Sequence, residues 1–243
     1  MSDALVVIPT YNEIENIERL IKNILSLRRN FHVLVVDDNS PDKTAEAVKA
    51  IAQKESDKVF LEVRQEKKGL GTAYIHGFQW ALQREYTYIF EMDADFSHNP
   101  NDLIRLYNAC RRDGSDVAIG SRYVTGVNVV NWPMSRVLMS WMASKYVRII
   151  TRMPIADTTA GFICYHRKVL ESINLNKIQF EGYAFQIEMK FKAYLQKFTI
   201  TEIPIIFTDR TKGTSKMDKK IISEAFFGVL TMKMKSLFNS YEI

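Results

Sequence analysis

Short β-branched runs alternate with helically spaced apolar residues along the first half of the chain. Leu5–Ile8 and Val33–Val36 are strand-like runs, and between them Ile14, Ile17, Ile21, Ile24 and Leu25 recur at the interval of one helix face. The pattern predicts a strand, helix, strand unit. It continues with a helix after "SPDKT", a strand near Val59–Val63, a helix over Gly71–Arg84 and a strand over Tyr86–Met92. Sustained alternation of this kind predicts an α/β fold with a mostly parallel, helix-covered sheet. Beyond "VAIGSRY" the regularity falls away. A stretch rich in Met, Trp and basic residues spans Trp132–Arg152, a second helical region lies near Tyr183–Leu195, and Thr199–Phe207 reads as a strand. The polar "DRTKGTSK" follows, and Lys219–Phe238 is apolar at helical spacing with interleaved lysines.

With 243 residues and 47% hydrophobic content, the chain can bury the core of one large domain. Thirty-three basic and 28 acidic side chains leave a net charge of +5, which without a concentrated patch argues against nucleic-acid binding. Cys110 and Cys164 form no metal-binding pattern, so buried, reduced thiols and an intracellular setting are expected. The opening "MSDALVVIPTYNE" lacks the positive region of an export signal, and no uninterrupted apolar run reaches the roughly 18 to 20 residues of a spanning helix. A cytosolic protein whose membrane contact is peripheral is the expectation.

In such sheets, ligands collect at the carboxyl ends of the strands, which here read "IPTYNE", "VVDDNSPDKT" and "EMDADFSH". Asp93 and Asp95, two apart in an extended segment, project to one side and suit a hard divalent cation. The competing reading has one of them capping a helix near Pro100 and the other solvated. Asp37 and Asp38 offer acceptors for a ribose or base, with helix capping as the alternative. Tyr11 can stack on a base or serve as a packing residue. No glycine-rich fingerprint follows the first strand, which excludes a dinucleotide-dependent oxidoreductase. The four histidines, His32, His76, His98 and His166, share no spacing and read mainly as structural or surface residues.

Taken together, "VVIPTYNEIENI", "VLVVDDNSPDKT", "KKGLGTAYIHGF", "EMDADFSHNP", "AIGSRY", "DTTAGFICYHRKVL", "EGYAFQIEM" and "FTDRTKGTSKM" resemble the family-2 glycosyltransferases of the GT-A fold, and within them the dolichyl-phosphate or polyprenyl-phosphate mannose synthases. The resemblance covers nearly the whole chain. It implies one GT-A, Rossmann-like domain over residues 1–243, with a nucleotide-sugar half (1–122) and an acceptor half (123–243). The acceptor half would carry a basic loop at 209–217 and an amphipathic C-terminal helical segment. It further implies a GDP-mannose donor whose nucleoside is held by Pro9, Tyr11, Glu13, Val36 and Asp38. Asp93, Ala94 and Asp95 would face a Mg2+ or Mn2+ ion and the diphosphate. Arg210 and Lys216 would neutralise the leaving group, and Arg122, Arg136 and Ser140 would dock the acceptor phosphate. Asp95, Arg122, Arg210 and Lys216 are the implied catalytic residues.

The implied acceptor is a polyprenyl or dolichyl monophosphate, which with a second pKa near 6 needs no strong general base. A single displacement would invert the anomeric centre and give a β-mannosyl phosphate. Glu188 would orient acceptor or sugar, or else form a buried salt bridge. The apolar and basic residues of Trp132–Arg152 suit either a membrane rim or an ordinary surface helix. The C-terminal segment would lie on the bilayer, dock a membrane-anchoring subunit, or pack on its own core. Two rival functions stand beside this one: glucosyl transfer from UDP-glucose to the same lipid, and a non-catalytic nucleotide-sugar or membrane-binding subunit.

Overall fold

A computed structural model describes residues 2–209 and 219–238. The apolar runs become strands β1 (Ala4–Thr10), β2 (His32–Asp37), β3 (Val59–Val63), β4 (Tyr88–Glu91) and β5 (Val117–Ser121). Between them lie helices α1 (Ile17–Leu25), α2 (Thr44–Lys54), α3 (Leu70–Leu82) and α4 (Asp102–Arg111). The second half adds β6 (Val129–Val130), α5 (Met134–Thr151), β7 (Ile163–His166), α6 (Arg167–Ser172), α7 (Tyr183–Leu195), β8 (Ile200–Pro204), β9 (Phe207–Thr208) and α8 (Lys219–Leu237). Several expected bounds shift by one or two residues, as at α3 and β4, while β3 and α7 fall where the periodicity places them.

The seven-stranded sheet has the order β3-β2-β1-β4-β7-β5-β8. All neighbouring pairs are parallel except the two made by β7, which runs antiparallel between β4 and β5. Residues of β1 alternate between two cores, because successive side chains of a strand point to opposite faces. Leu5 and Val7 join α3 and α7 on one face; Val6 and Ile8 join α1, α2 and α4 on the other.

The expected single strand over Thr199–Phe207 is split. Pro204 lacks an amide donor and ends the ladder of β8, Ile206 is 63% exposed, and the chain then pairs β9 with β6 in a separate two-stranded sheet. That break redirects the backbone towards the loop after β4, where the Thr208 amide bonds the Ser97 carbonyl at 3.3 Å. Cys110 and Cys164 are free and buried. Among the described residues no helix is long and apolar enough to cross a membrane.

Candidate active site

The carboxyl ends of β1, β2 and β4 lie side by side, and each breaks into a turn with a residue in the left-handed backbone region. Asn12 (φ 59°), Asn39 (φ 55°) and Phe96 (φ 63°) occupy those turns. Asparagine tolerates this region; an aromatic residue there is strained, and such strain concentrates at functional sites.

At the β1–β2 end, Thr10 pairs with Asp37 across the ladder. Asp37 is wholly buried: its carboxylate accepts from the Thr10 hydroxyl at 2.7 Å and from the Ser40 hydroxyl and amide at 2.6 and 2.9 Å. It therefore shapes the turn. Asp38 instead receives two hydrogen bonds from Arg64, Nε to Oδ1 at 2.6 Å and Nη2 to Oδ2 at 2.8 Å. Asp42 secures the start of α2, taking the Thr44 amide and hydroxyl at 3.0 and 2.6 Å. Pro9 and Val36 face each other in register, and Val36 is wholly buried in a strand paired on both sides. Tyr11 lies under Lys67, whose ammonium sits 4.4 Å from the ring centroid.

At the β4 end, neither Asp93 nor Asp95 caps α4. Asp95 accepts the Ser97 amide at 3.0 Å, and Tyr74 donates to Asp93 Oδ1 at 3.3 Å. Burial, the Asp95 charge and, more weakly, Glu91 and Glu13 push the Asp93 carboxyl up to about 7, against the Tyr74 bond. Its side chain stays 36% accessible to water, which softens that repulsion without removing it. Two carboxylates that cannot comfortably ionise together are the donor set a hard divalent cation relieves, so Asp93 and Asp95 fit an ion of that class. Among the described residues no group of three or more His, Cys, Asp or Glu is arranged to enclose a metal, so the remaining ligands would be water or substrate oxygens.

His98, which spacing alone did not single out, belongs to this site. Its Nδ1 accepts the Asp93 amide at 3.3 Å while the ring stacks on Phe162 at 4.8 Å. Burial lowers its pKa to about 4, which keeps the imidazole neutral and able to accept. Behind the strand end, the Gln186 amide bonds the buried Glu91 carboxylate, and Lys190 donates to the Ala160 and Gln186 carbonyls at 2.6 and 3.1 Å. Burial pushes Glu91 up to about 7 and Lys190 down to about 8.

Just beyond β5, the Arg122 guanidinium forms a buried two-point pair with Asp157, at 2.7 and 2.6 Å, and bonds Thr159 at 2.8 Å. The surrounding charges and bonds of Arg122 hold Asp157 below the ordinary carboxylate range despite its burial. Arg136 and Ser140 share a face of α5, as their spacing predicts. Arg136 reaches both oxygens of Asp209 at 3.0 Å and lies over Trp132, and Ser140 accepts from Tyr123 at 2.8 Å. Glu188 is buried and accepts the Gln179 and Phe180 amides at 2.8 and 3.2 Å, bonds that fix the backbone ahead of α7. Arg210, Lys216 and the rest of the basic loop after Asp209 lie outside the described residues.

Residues 5–173 match the model of Glycosyl transferase family 2. The chain belongs to that family. It is 45% identical over 225 residues to a polyprenol monophosphomannose synthase of Mycolicibacterium smegmatis, covering 93% of this chain and 84% of the relative. It is 43% identical to an undecaprenyl-phosphate mannosyltransferase of Micrococcus luteus, covering 93% and 91%. A dolichol-phosphate mannosyltransferase of Pyrococcus furiosus is 39% identical, and the match spans 90% of this chain but 60% of that longer relative. Among solved structures, glucosyl-3-phosphoglycerate synthase from Mycobacterium tuberculosis, in complexes with Mn2+ and UDP or UDP-glucose, superposes with TM-scores of 0.67 and 0.68 over 96% and 95% of this chain and 78% and 79% of that one. At 16% and 15% identity that likeness concerns the fold, which is GT-A-like. The family-2 chain is thus a glycosyltransferase.

Proposed function

We propose that this family-2 enzyme transfers mannose from GDP-mannose to a polyprenyl or dolichyl monophosphate, giving the β-mannosyl phosphate lipid. The observation that carries the reading is the Thr208–Ser97 backbone bond, which joins the strand leading into "DRTKGTSK" to the "DADFSH" turn. That bond supports a reading in which donor-side and acceptor-side segments serve one site beside Asp93 and Asp95.

Residues 1–122 would supply the donor side, with Pro9, Tyr11, Glu13, Val36 and Asp38 around the nucleoside and Ala94 offering main-chain contact. Arg136 and Ser140 in residues 123–243, with Arg122 at the boundary, would supply the acceptor side. Arg122, fixed by Asp157, presents a cation of set orientation at the end of β5, and Arg136 can exchange Asp209 for an incoming phosphate. A lipid phosphate oxygen attacks the anomeric carbon from the side opposite the diphosphate. The new C–O bond forms as the bond to the diphosphate breaks, and its electron pair leaves with GDP. Mg2+ or Mn2+ bound at Asp93 and Asp95 would neutralise charge developing on that leaving group. Arg210 and Lys216 would add to the same effect from the chain itself.

We further propose that the enzyme works in the cytoplasm at a membrane surface. Met134, Ile149, Phe227 and Leu237 are 78%, 73%, 66% and 64% exposed on α5 and α8, interleaved with Lys145, Arg148 and Lys235. The two helices are joined by the Tyr146–Phe226 stack at 4.5 Å, and Val229 and Met232 fix α8 to the core. An apolar face with basic neighbours suits an anionic bilayer or a membrane-anchoring subunit.

The test is radiolabelled transfer with purified protein, Mg2+ or Mn2+, a short polyprenyl phosphate, and GDP-mannose or UDP-glucose. Metal-dependent label from GDP-mannose, lost in Asp95→Ala, is the expected outcome. Label from UDP-glucose alone would overturn the donor assignment, and nucleotide-sugar binding without turnover would favour the non-catalytic reading.

A further inference from the structure

Trp132 lies between β6 and α5, and its backbone has little freedom. Asn131 before it turns the chain with φ 65°, and Pro133 after it, at the N-cap of α5, confines it to extended conformations. Helical side chains lean towards the N-terminus, so Arg136 in the first turn of α5 folds back over the indole, with its guanidinium carbon 4.0 Å from the ring centroid. Arg122 lies 5.6 Å from the same centroid. Phe207 of β9 meets the ring at 66°, with centroids 5.3 Å apart, and packs at 76° on His98, which accepts the Asp93 amide. One aromatic row thus runs from the Asp93 turn to the two arginines.

Both guanidiniums fall inside the roughly 6 Å within which a ring face attracts a cation. A single indole therefore sets how far apart they stand. Its Nε1 is buried and, among the described residues, has no hydrogen-bond partner, so packing and not a bond places the ring. What the ring offers is its face. Arg136 needs such a contact because its carboxylate is replaceable: one nitrogen serves both oxygens of Asp209, and the pair is about one-quarter exposed. Guanidinium donors radiate in the plane of the group, so a ring against its flat side leaves them free to change acceptor.

We propose that Trp132 is a positioning residue for acceptor binding: its indole face holds Arg136 beside Arg122 while Arg136 exchanges Asp209 for the phosphate of the lipid. This rests on the reading in which Arg122 and Arg136 dock the acceptor phosphate. It adds a residue that touches neither substrate and acts through Arg136. A merely structural role for the ring would disturb donor and acceptor alike, and its loss would matter equally with or without Arg136.

The experiment is steady-state transfer from GDP-mannose, with Mn2+ and varied short polyprenyl phosphate, by the wild type, Trp132→Phe, Trp132→Leu, Arg136→Ala and the Trp132→Leu, Arg136→Ala double variant, with thermal unfolding of each protein. Trp132→Leu should raise the acceptor KM roughly tenfold, as expected for a partly desolvated cation–π contact, and leave the GDP-mannose KM within about twofold. Trp132→Phe keeps an aromatic face and drops the unpartnered N–H, so it should lie between wild type and Trp132→Leu. In the Arg136→Ala background, Trp132→Leu should add less than about twofold, because residues acting through one another are not additive. An unchanged acceptor KM in folded variants, equal losses for donor and acceptor, or effects of Trp132 and Arg136 that multiply overturn the proposal while leaving the acceptor assignment of Arg136 intact. A wild-type acceptor KM in Arg136→Ala overturns both.

Discussion

One nitrogen of Arg136 reaches both carboxylate oxygens of Asp209 at 3.0 Å. The contact ties the first turn of α5 to the last described residue before the basic loop. Both side chains are about one-quarter exposed, so solvent screens the pair and its contribution to stability is at most ~1 kcal/mol. Asp209→Asn should therefore unfold within that margin of wild type, yet lower the KM for lipid phosphate by up to roughly tenfold, because Arg136 no longer has to give up a carboxylate to bind the phosphate. Steady-state transfer assays with varied acceptor decide it; an unchanged KM would reduce the contact to an ordinary surface pair.

The exposed faces of α5 and α8 lead to a second prediction. Ile149→Glu combined with Phe227→Glu should cut cosedimentation with phosphatidylglycerol vesicles by roughly tenfold, since each removes an apolar contact and adds a charge of the wrong sign. GDP binding should not change. Retained sedimentation would assign these helices to something other than a bilayer.

Lys190 carries a pH signature. Its folded pKa lies near 8, below the ordinary lysine value near 10.5, because burial penalises the ammonium despite Glu91 and Asp157. Below pH 8 the unfolded and folded states both hold the proton, and the folded state bears the full cost of the buried charge. From pH 8 to about 10.5 the unfolded state binds more protons, so stability rises with pH by roughly 1–3 kcal/mol from this group. Urea midpoints of wild type minus Lys190→Met should rise over that interval, and a flat difference would show that the ammonium is not depressed.

Gly77 marks where α3 meets β1. A Cβ there would sit 2.3 Å from Cγ1 of Val7, a stiff branched side chain on a buried strand. Helix propensity favours alanine by up to ~1 kcal/mol, but overpacking costs about 1–3 kcal/mol, so Gly77→Ala should be a net loss. A denaturant midpoint equal to or above wild type would mean that the sheet yields at Val7.

Local patterns announced much of this architecture. The buried runs of β1 and β2, the helical spacing of α7 and the acids ending β2 and β4 are properties of neighbouring residues, and they appear where sequence places them. What stayed hidden depends on distant partners. Asp157 meets Arg122 from 35 positions away, and Arg64, a lone basic residue after a strand, has no motif until Asp38 closes on it. His98 carried a signal in its place within "DADFSH", but its bond to the Asp93 amide needs the sharp turn at Phe96. The reversed direction of β7 is likewise set by its neighbours, because "FICYH" would serve a strand of either sense.

That reversed strand also governs how the molecule can be made. β4 and β5 are both synthesised before β7, yet β4 has only β1 beside it and β5 has no neighbour until residues 163–166 have emerged and slipped between them. A nascent chain halted after Ser121 would hold the ends of β1, β2 and β4 on a sheet with an open edge at β4, a template for mispairing. The two halves of the sheet cannot mature one after the other. Split into two polypeptides at that point, the enzyme would recover a sheet only by the second piece threading itself into the first.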